Sequence, residues 1–215
     1  MTTYVVAGLG RFGRSMARRL CELGNEVLAV DKNPDSVQQI ANYVTQAVVA
    51  DAQDGDVLRA LGVRNYDCAI VAIGTDLSAS ILATLNFKEL GVPMVVCKAQ
   101  DESHGKVLEK IGADRVVVPE REYANKLAQG LSSANVLEYI ELSQDYGISE
   151  FEAPLPWVGK TLRQLNVRAK AGVNIIAIRR EEGIQVSPGA DYTIRLKDVI
   201  VALGDYKALS AVQKR

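Results

Sequence analysis

The sequence has 215 residues, of which 48% are hydrophobic and 24% charged, and its formal net charge is −1 at pH 7. These values are typical of a globular protein with one large or two smaller domains. They exclude the strongly basic surface of a nucleic-acid-binding protein, and no apolar run reaches the roughly 20 residues of a membrane-spanning helix.

The first apolar run leads directly into a glycine motif, so we expect no signal peptide. The three cysteines show no disulfide or zinc spacing, which fits a reducing cytoplasm.

Short apolar runs alternate with helical patterns over the first 118 residues. Six runs are predicted to be strands, at residues 4–7, 27–30, 47–49, 68–72, 94–97 and 115–118. Helices are predicted between them at 12–23, 34–43, 57–61, 77–90 and 103–111. Because the strands are continuously apolar, they should be covered on both faces. The alternation therefore predicts an α/β fold with a doubly wound parallel sheet of the Rossmann type.

The pattern changes after Pro119. A helix is predicted over 120–133, and 136–142 fits either a strand or an extension of that helix. Further strands at 148–153, 173–178, 184–186 and 199–203, with a short helix at 161–165, predict a small α+β domain with a mostly antiparallel sheet. The turns between these strands are predicted at Glu182-Gly183, Pro188-Gly189 and Gly204-Asp205. We place the junction near 133–147 and expect a first domain at 1–133, then a linker and second domain at 134–215.

The first predicted strand is followed by a G-x-G-x-x-G motif that opens a helix. Gly8 permits a tight turn, Gly10 lets a phosphate approach the backbone, and Gly13 allows close packing of helix on sheet. The first helical N–H groups then lie free to bind an anion. The motif in this context predicts a dinucleotide or adenine-nucleotide site.

Other candidate residues follow the ends of neighbouring strands. Asp31 is placed to accept hydrogen bonds from ribose hydroxyls, and its charge disfavours the 2′-phosphate of NADP. The next strand ends carry Asp51-Ala52, Ile73 to Asp76 and Lys98 to Gln100, which should line the same crevice. Arg11 and Lys98 could neutralise phosphates, although Lys98 fits a solvated lysine at a strand end equally well.

Catalytic groups are hard to find. The single histidine, His104, lies at a charged helix start, and no His–Asp pair, metal cluster or nucleophile motif is visible. We therefore predict a protein that is not an enzyme. The alternatives are a small NAD-dependent oxidoreductase, an NAD(H) sensor, and a redox or nucleotide sensor acting on transcription, for which no DNA-binding module is visible.

The whole chain resembles the KtrA-type regulatory subunits of potassium uptake, which combine an RCK (KTN) domain with a TrkA-C-like domain. The resemblance is carried by the following segments: Gly8–Gly13, Glu26–Asp31, Val71–Gly74, Lys98–Gln100, His104, Lys106–Arg115, Pro119–Glu120, Leu165–Lys170 and Asp198–Gly204.

The resemblance implies a nucleotide-binding subunit that gates a potassium channel or transporter from the cytoplasmic side of the membrane. It implies a homo-octameric ring built from dimers, and an integral-membrane KtrB-like dimer as partner. ATP is expected to activate and ADP to inactivate, with Arg11 at the terminal phosphates. Glu120 is expected to bind a divalent or monovalent cation there. The remaining expected pocket residues are Gly8, Gly10, Phe12, Gly13, Asp31, Lys32, Asn33, Asp51, Ala52, Ile73, Gly74, Thr75, Lys98, Ala99, Gln100 and His104.

The resemblance further implies that the second domain binds cyclic di-AMP at a two-fold interface, which inactivates transport. The matching residues are Arg168, Asn174, Ile175, Ile176 and Pro188. Packing of these residues in a dimer interface is an equally good interpretation.

Overall fold

The structure is a computed structural model that describes residues 1–132, 136–143 and 145–213. The chain separates into two compact units, Met1–Glu120 and Arg121–Arg215, here called the first and second units. Among the described residues, no helix combines the length and the apolar character needed to cross a bilayer.

The first unit is built around a six-stranded parallel sheet. Its strands are β1 (Thr3–Ala7), β2 (Glu26–Asp31), β3 (Gln46–Val49), β4 (Cys68–Val71), β5 (Met94–Lys98) and β6 (Arg115–Val117). Its helices are α1 (Arg11–Glu22), α2 (Pro34–Ile40), α3 (Gly55–Ala60), α4 (Leu77–Glu89) and α5 (Glu102–Lys110), and α6 (Pro119–Ser132) runs past its end. The strand order β3-β2-β1-β4-β5-β6 confirms the predicted Rossmann-type sheet.

The central strand explains why the sequence shows continuous apolar runs. Val5 and Ala7 of β1 belong to one buried cluster, which includes Phe87 of α4. Val6, between them, belongs to the cluster on the opposite face, with Ala17 of α1. Because successive side chains point to opposite faces and both faces are covered, the successive positions Val5, Val6 and Ala7 are all apolar and buried.

The helices of the first unit differ in how they begin. Side-chain oxygens of Asn33, Asp54, Asp76 and Asp101 accept hydrogen bonds from the first backbone N–H groups of α2, α3, α4 and α5. Helix α1 begins after Gly10, which has no side chain to act in this way, and its first turn holds no acidic residue. Its N-terminal N–H groups are therefore left for another acceptor.

The second unit contains a five-stranded antiparallel sheet in the order β10-β9-β11-β8-β7. Its strands are β7 (Val136–Glu141), β8 (Tyr146–Glu152), β9 (Asn174–Arg180), β10 (Gly183–Val186) and β11 (Val199–Asp205), and its helices are α7 (Leu162–Leu165), α8 (Val167–Ala171) and α9 (Tyr206–Gln213). This confirms the predicted α+β architecture, and residues 136–141 form a strand.

One local prediction for the second unit was wrong. The Gly204-Asp205 turn is the end of β11, because helix α9 follows immediately and the Asp205 side chain accepts a hydrogen bond from the Ala208 N–H at 2.8 Å. Helices α8 and α9 were not predicted. Residues 133–135 and Gln144 of the predicted junction lie outside the described residues, and residue 133 was also the predicted end of the long helix.

A buried ion pair crosses the second unit. The Asp198 carboxylate is 2% exposed and accepts hydrogen bonds from Arg180 Nε at 2.7 Å, the Tyr192 hydroxyl at 2.9 Å and the Arg195 N–H at 2.8 Å. Burial alone would raise the pKa of Asp198, but these bonds outweigh it and hold the pKa below its ordinary value.

Candidate functional site

A cleft of about 1070 Å³ lies at the carboxyl ends of the parallel strands. Ligands bind at this edge in open α/β sheets. Of the eighteen residues expected from the sequence, fifteen line the cleft: Gly8, Gly10, Arg11, Phe12, Asp31, Lys32, Asn33, Asp51, Ala52, Ile73, Gly74, Thr75, Lys98, Gln100 and Glu120. The lining also holds residues that the sequence analysis did not name: Arg14, Val30, Ser36, Ala50, Gln53, Ala72 and Ala79.

The glycine motif forms a turn that only glycine tolerates at two of its positions. Gly8 has a φ of +93°, and its N–H donates to the Val30 carbonyl at 2.9 Å. A Cβ at Gly13 would lie 1.9 Å from the Gly8 carbonyl oxygen. A Cβ at Gly10 would have no atom within 4 Å, so this side of the loop faces open space in the cleft.

Asp31 joins the end of β2 to the glycine loop. Its carboxylate accepts hydrogen bonds from the Leu9 N–H at 2.6 Å and the Asn33 N–H at 2.8 Å. Each carboxylate oxygen can accept more than one hydrogen bond. Asp31 can therefore hold the loop in place and still accept from the hydroxyl groups of a ligand.

Two cationic side chains, Arg11 and Lys98, line the cleft near the glycine loop. Lys98, the last residue of β5, is 15% exposed, and its Nζ lies 2.6 Å from Glu120 Oε1 and 5.8 Å from the centre of the Phe12 ring. The hydrogen bond from Lys98, with a further contribution from nearby Arg11, holds the pKa of Glu120 below its ordinary value. The free N-terminus of α1, Arg11 and Lys98 bring positive charge and N–H donors to this part of the cleft, which is the chemistry that binding of a phosphate group requires.

The loop after β3 forms another wall of the cleft. Asp51 accepts hydrogen bonds from both the backbone N–H and the side-chain amide of Gln53. The amide of Asn86 on α4 donates to the carbonyls of Ala52 and Gln53. Asn86 reaches the loop from the middle of a helix more than 30 residues later, so no local pattern in the sequence indicated it.

Three of the expected residues do not line the cleft: Gly13, Ala99 and His104. His104 is buried, and its Nδ1 accepts a hydrogen bond from the Gln100 N–H at 3.3 Å. Burial lowers the pKa of His104, although the charge of Asp101 opposes this effect. A neutral imidazole therefore supports the strand end that carries Gln100.

The residues expected at the second ligand site lie on neighbouring parts of the second unit. Asn174, Ile175 and Ile176 begin β9, and the Ser187 N–H donates to the Ile176 carbonyl at 2.8 Å, which places Pro188 beside this strand. Arg168 is exposed on α8, which packs against β9. Across the described part of the chain, no three His, Cys, Asp or Glu side chains group as metal ligands.

Solved structures share the fold of the chain. A structure titled as the GsuK channel bound to NAD has a TM-score of 0.69 at 18% identity, covering 99% of this chain and 39% of that one. GsuK bound to ADP has a TM-score of 0.53 at 19% identity, covering 62% of this chain and 35% of that one.

Sequence comparisons identify the family. The TrkA-N domain model matches residues 4–119 and the TrkA-C domain model matches residues 148–215. The Ktr system potassium uptake protein C of Bacillus subtilis (strain 168) is 45% identical, covering 99% of this chain and 96% of its own length. The Ktr system potassium uptake protein A of the same organism is 47% identical, and the match covers 95% of this chain and 92% of that protein. The chain therefore belongs to the Ktr family of potassium uptake proteins, with a TrkA-N domain followed by a TrkA-C domain.

Proposed function

We propose that the chain is a nucleotide-sensing regulatory subunit of a potassium channel or transporter, activated by ATP and inactivated with ADP, and that it is not an enzyme. The observation that carries this proposal is the cleft, where the uncapped N-terminus of α1, Arg11 and Lys98 meet beside the glycine loop. The similarity to potassium uptake proteins supports a role in potassium transport.

The cleft suits an adenine nucleotide laid across the strand ends. The phosphates lie at the glycine loop, the ribose at Asp31 with Lys32 and Asn33, and the base beyond them, toward Asp51 and Ala52. The GsuK structures with NAD and ADP support a nucleotide in a fold of this kind. Asp31 disfavours a phosphate on the 2′-hydroxyl of the ribose, so NADP is a poor ligand.

A small NAD-dependent oxidoreductase or an NAD(H) sensor is the alternative. The chain's single histidine, a usual acid–base group, is buried and does not line the cleft. This observation favours a regulatory protein, and turnover of NADH with small carbonyl compounds would favour the enzyme.

ATP and ADP differ by one phosphate, so a sensor must place charge where the third phosphate lies. A ligand shifts a conformational equilibrium only through its different affinity for the two states. Arg11, in the first turn of α1, is the group we assign to the terminal phosphate. Glu120 is free to hold a cation beside it once a phosphate oxygen replaces the carboxylate as the partner of Lys98.

We expect Arg11→Ala to weaken the binding of ATP by about tenfold or more, since a hydrogen bond to a charged group contributes about 1.5–3 kcal/mol. The binding of ADP should fall by less. Titration calorimetry measures both affinities. Arg19→Ala is the control, because Arg19 lies on the same helix and pairs with Glu22 on the surface. Equal losses for ATP and ADP would overturn the assignment of Arg11.

The partners follow from the family. We propose that the chain forms a homo-octameric ring from dimers on the cytoplasmic face of an integral-membrane, potassium-translocating dimer. Light scattering with ATP present tests the ring, and a mass other than eight chains contradicts it. We also propose cyclic di-AMP as a second ligand at the group of Arg168, Asn174, Ile175, Ile176 and Pro188, tested by calorimetry with Arg168→Ala.

The first experiment is a set of thermal unfolding curves with ATP, ADP, NAD and NADH, each in large excess. A ligand at 100 times its dissociation constant stabilises the folded state by about 2.7 kcal/mol. Stabilisation by ATP and ADP supports the proposed function. Stabilisation by NADH alone favours the oxidoreductase or NAD(H) sensor.

A further inference from the structure

Asn86 ties helix α4 to the loop that follows β3. Its Nδ2 donates to the Ala52 carbonyl at 3.1 Å and to the Gln53 carbonyl at 2.9 Å. Carbonyl oxygens only accept, so only the NH₂ end of the amide can bond both of them. Chemistry therefore determines which way this side chain lies, and one side chain holds two successive peptide groups.

The rest of the loop is held at its two ends. The Ala50 N–H donates to the Asp31 carbonyl at 3.0 Å, and the Asp54 N–H donates to the Asp51 carbonyl at 3.1 Å. Between these anchors, Asn86 bonds both carbonyls at the centre of the loop. The Ala52 N–H donates to no residue that the structure describes, and Ala52 lines the cleft. On the proposed nucleotide-binding function, this N–H is the donor that the loop offers to the ligand.

The place of this loop in the sheet relates it to the base of a nucleotide. β3 is the neighbour of β2 on the side away from the glycine loop, and the end of β2 carries Asp31 at the ribose position. On the proposed nucleotide-binding function, the base lies one strand farther along, at Asp51 to Gln53. Adenine presents a hydrogen-bond acceptor at N1, where guanine presents an N–H donor. A backbone N–H at this position pairs with adenine and opposes guanine.

We propose that Asn86 is a positioning residue that gives the cleft its preference for adenine over guanine. It acts through the loop: by holding the carbonyls of Ala52 and Gln53, it sets the position of the peptide whose N–H meets the base. The inference rests on the proposed nucleotide-binding function and adds the residue that selects the base.

The test compares the affinities for ATP and GTP in titration calorimetry with the full chain. Asn86→Asp puts a carboxylate oxygen against two carbonyl oxygens and should displace the loop. Gly55→Ala crowds the same side chain, since its Cβ would lie 3.3 Å from Asn86 Oδ1. In both variants we expect the ratio of GTP to ATP dissociation constants to fall by about three- to tenfold, the change expected from one ordinary hydrogen bond.

Thr84→Val is the matched control. Thr84 lies on the same helix and its hydroxyl donates to the Ser80 carbonyl at 2.7 Å, away from the loop. This variant should lower stability and leave the ratio as in the wild type. An unchanged ratio in a folded Asn86→Asp or Gly55→Ala protein would overturn the inference, as would a wild type with no preference for adenine. A wild type that binds no nucleotide would instead overturn the proposed function.

Discussion

Gly13→Ala is expected to unfold the first unit. The added Cβ would lie 1.9 Å from the carbonyl oxygen of Gly8 and 3.0 Å from its carbonyl carbon. Both atoms belong to the backbone of a loop that Asp31 and the Val30 carbonyl hold in place, so no side chain can move aside. Overpacking of this kind costs about 1–3 kcal/mol or more, and forcing α1 away from β1 adds to that loss. Circular dichroism should show a large fall in the melting temperature or no cooperative transition.

Gly10→Ala is the control for this prediction, because it should leave the fold intact and weaken nucleotide binding. No atom lies within 4 Å of its Cβ, so the fold should keep nearly its wild-type melting temperature. The methyl group occupies the face of the loop where a phosphate would approach the backbone, so nucleotide affinity should fall by about tenfold or more. Normal folding of Gly13→Ala would contradict the packing argument, and unchanged affinity in Gly10→Ala would contradict the position of the phosphates.

Asp198→Asn should strongly destabilise the second unit. The substitution removes the partner of Arg180 and places an NH₂ group where Arg180 or the Tyr192 hydroxyl donates. Breaking a buried ion pair costs about 3–5 kcal/mol, and we expect the lower part of that range because Arg180 is partly exposed. The only tryptophan, Trp157, is buried in the core of this unit. Its fluorescence during urea unfolding therefore reports the loss directly.

Asp191→Asn provides the matched comparison. Asp191 pairs with Arg163 in the same unit, but its side chain is 83% exposed. Surface pairs of this type contribute little to stability, because both charges stay hydrated and are screened by salt. Similar losses in the two variants would contradict a special role for the buried pair.

The buried pair also predicts a pH dependence. The pKa of Asp198 is lower in the folded than in the unfolded state, so the unfolded state takes up the proton more readily. The stability that the ionised carboxylate provides is fully present above its unfolded pKa of about 4 and is lost as the pH falls through the folded value. The wild type and Asp198→Asn should therefore converge in stability in acid. A difference that stays constant from pH 7 to pH 3 would contradict this.

The first unit was predictable because its signals are local. Strands β1, β2 and β4 are covered on both faces, so at least four successive apolar residues mark each of them, and the glycine motif and Asp31 adjoin strand ends. The second unit gave weaker signals. Helix α9 buries only Leu209 and Val212 among its apolar residues, too few to show a helical period, and the Asp205 that caps it resembles a turn residue.

The part of the candidate site that escaped prediction consists of contacts between distant segments. Asn86 looks like any polar residue within a helix until α4 and the loop after β3 are brought together. Arg14, by contrast, has a local signal in the sequence. It lies three residues after Arg11, so the two arginines share a face of α1. The sequence pattern could have shown Arg14, whereas only the folded chain shows Asn86.

The position of β1 has a consequence for how the protein is made. Although it is synthesised before the other strands of its sheet, β1 lies inside that sheet, between β2 and β4. The Thr3 N–H donates to the side chain of Asp67, which is 64 residues later in the chain. During synthesis on the ribosome, one edge of β1 therefore stays unpaired until β4 has emerged. At about 5–20 residues per second this interval lasts several seconds. During that time an apolar strand edge is open to pairing with other chains, and the risk of aggregation belongs to the first part of the chain, before the second unit exists.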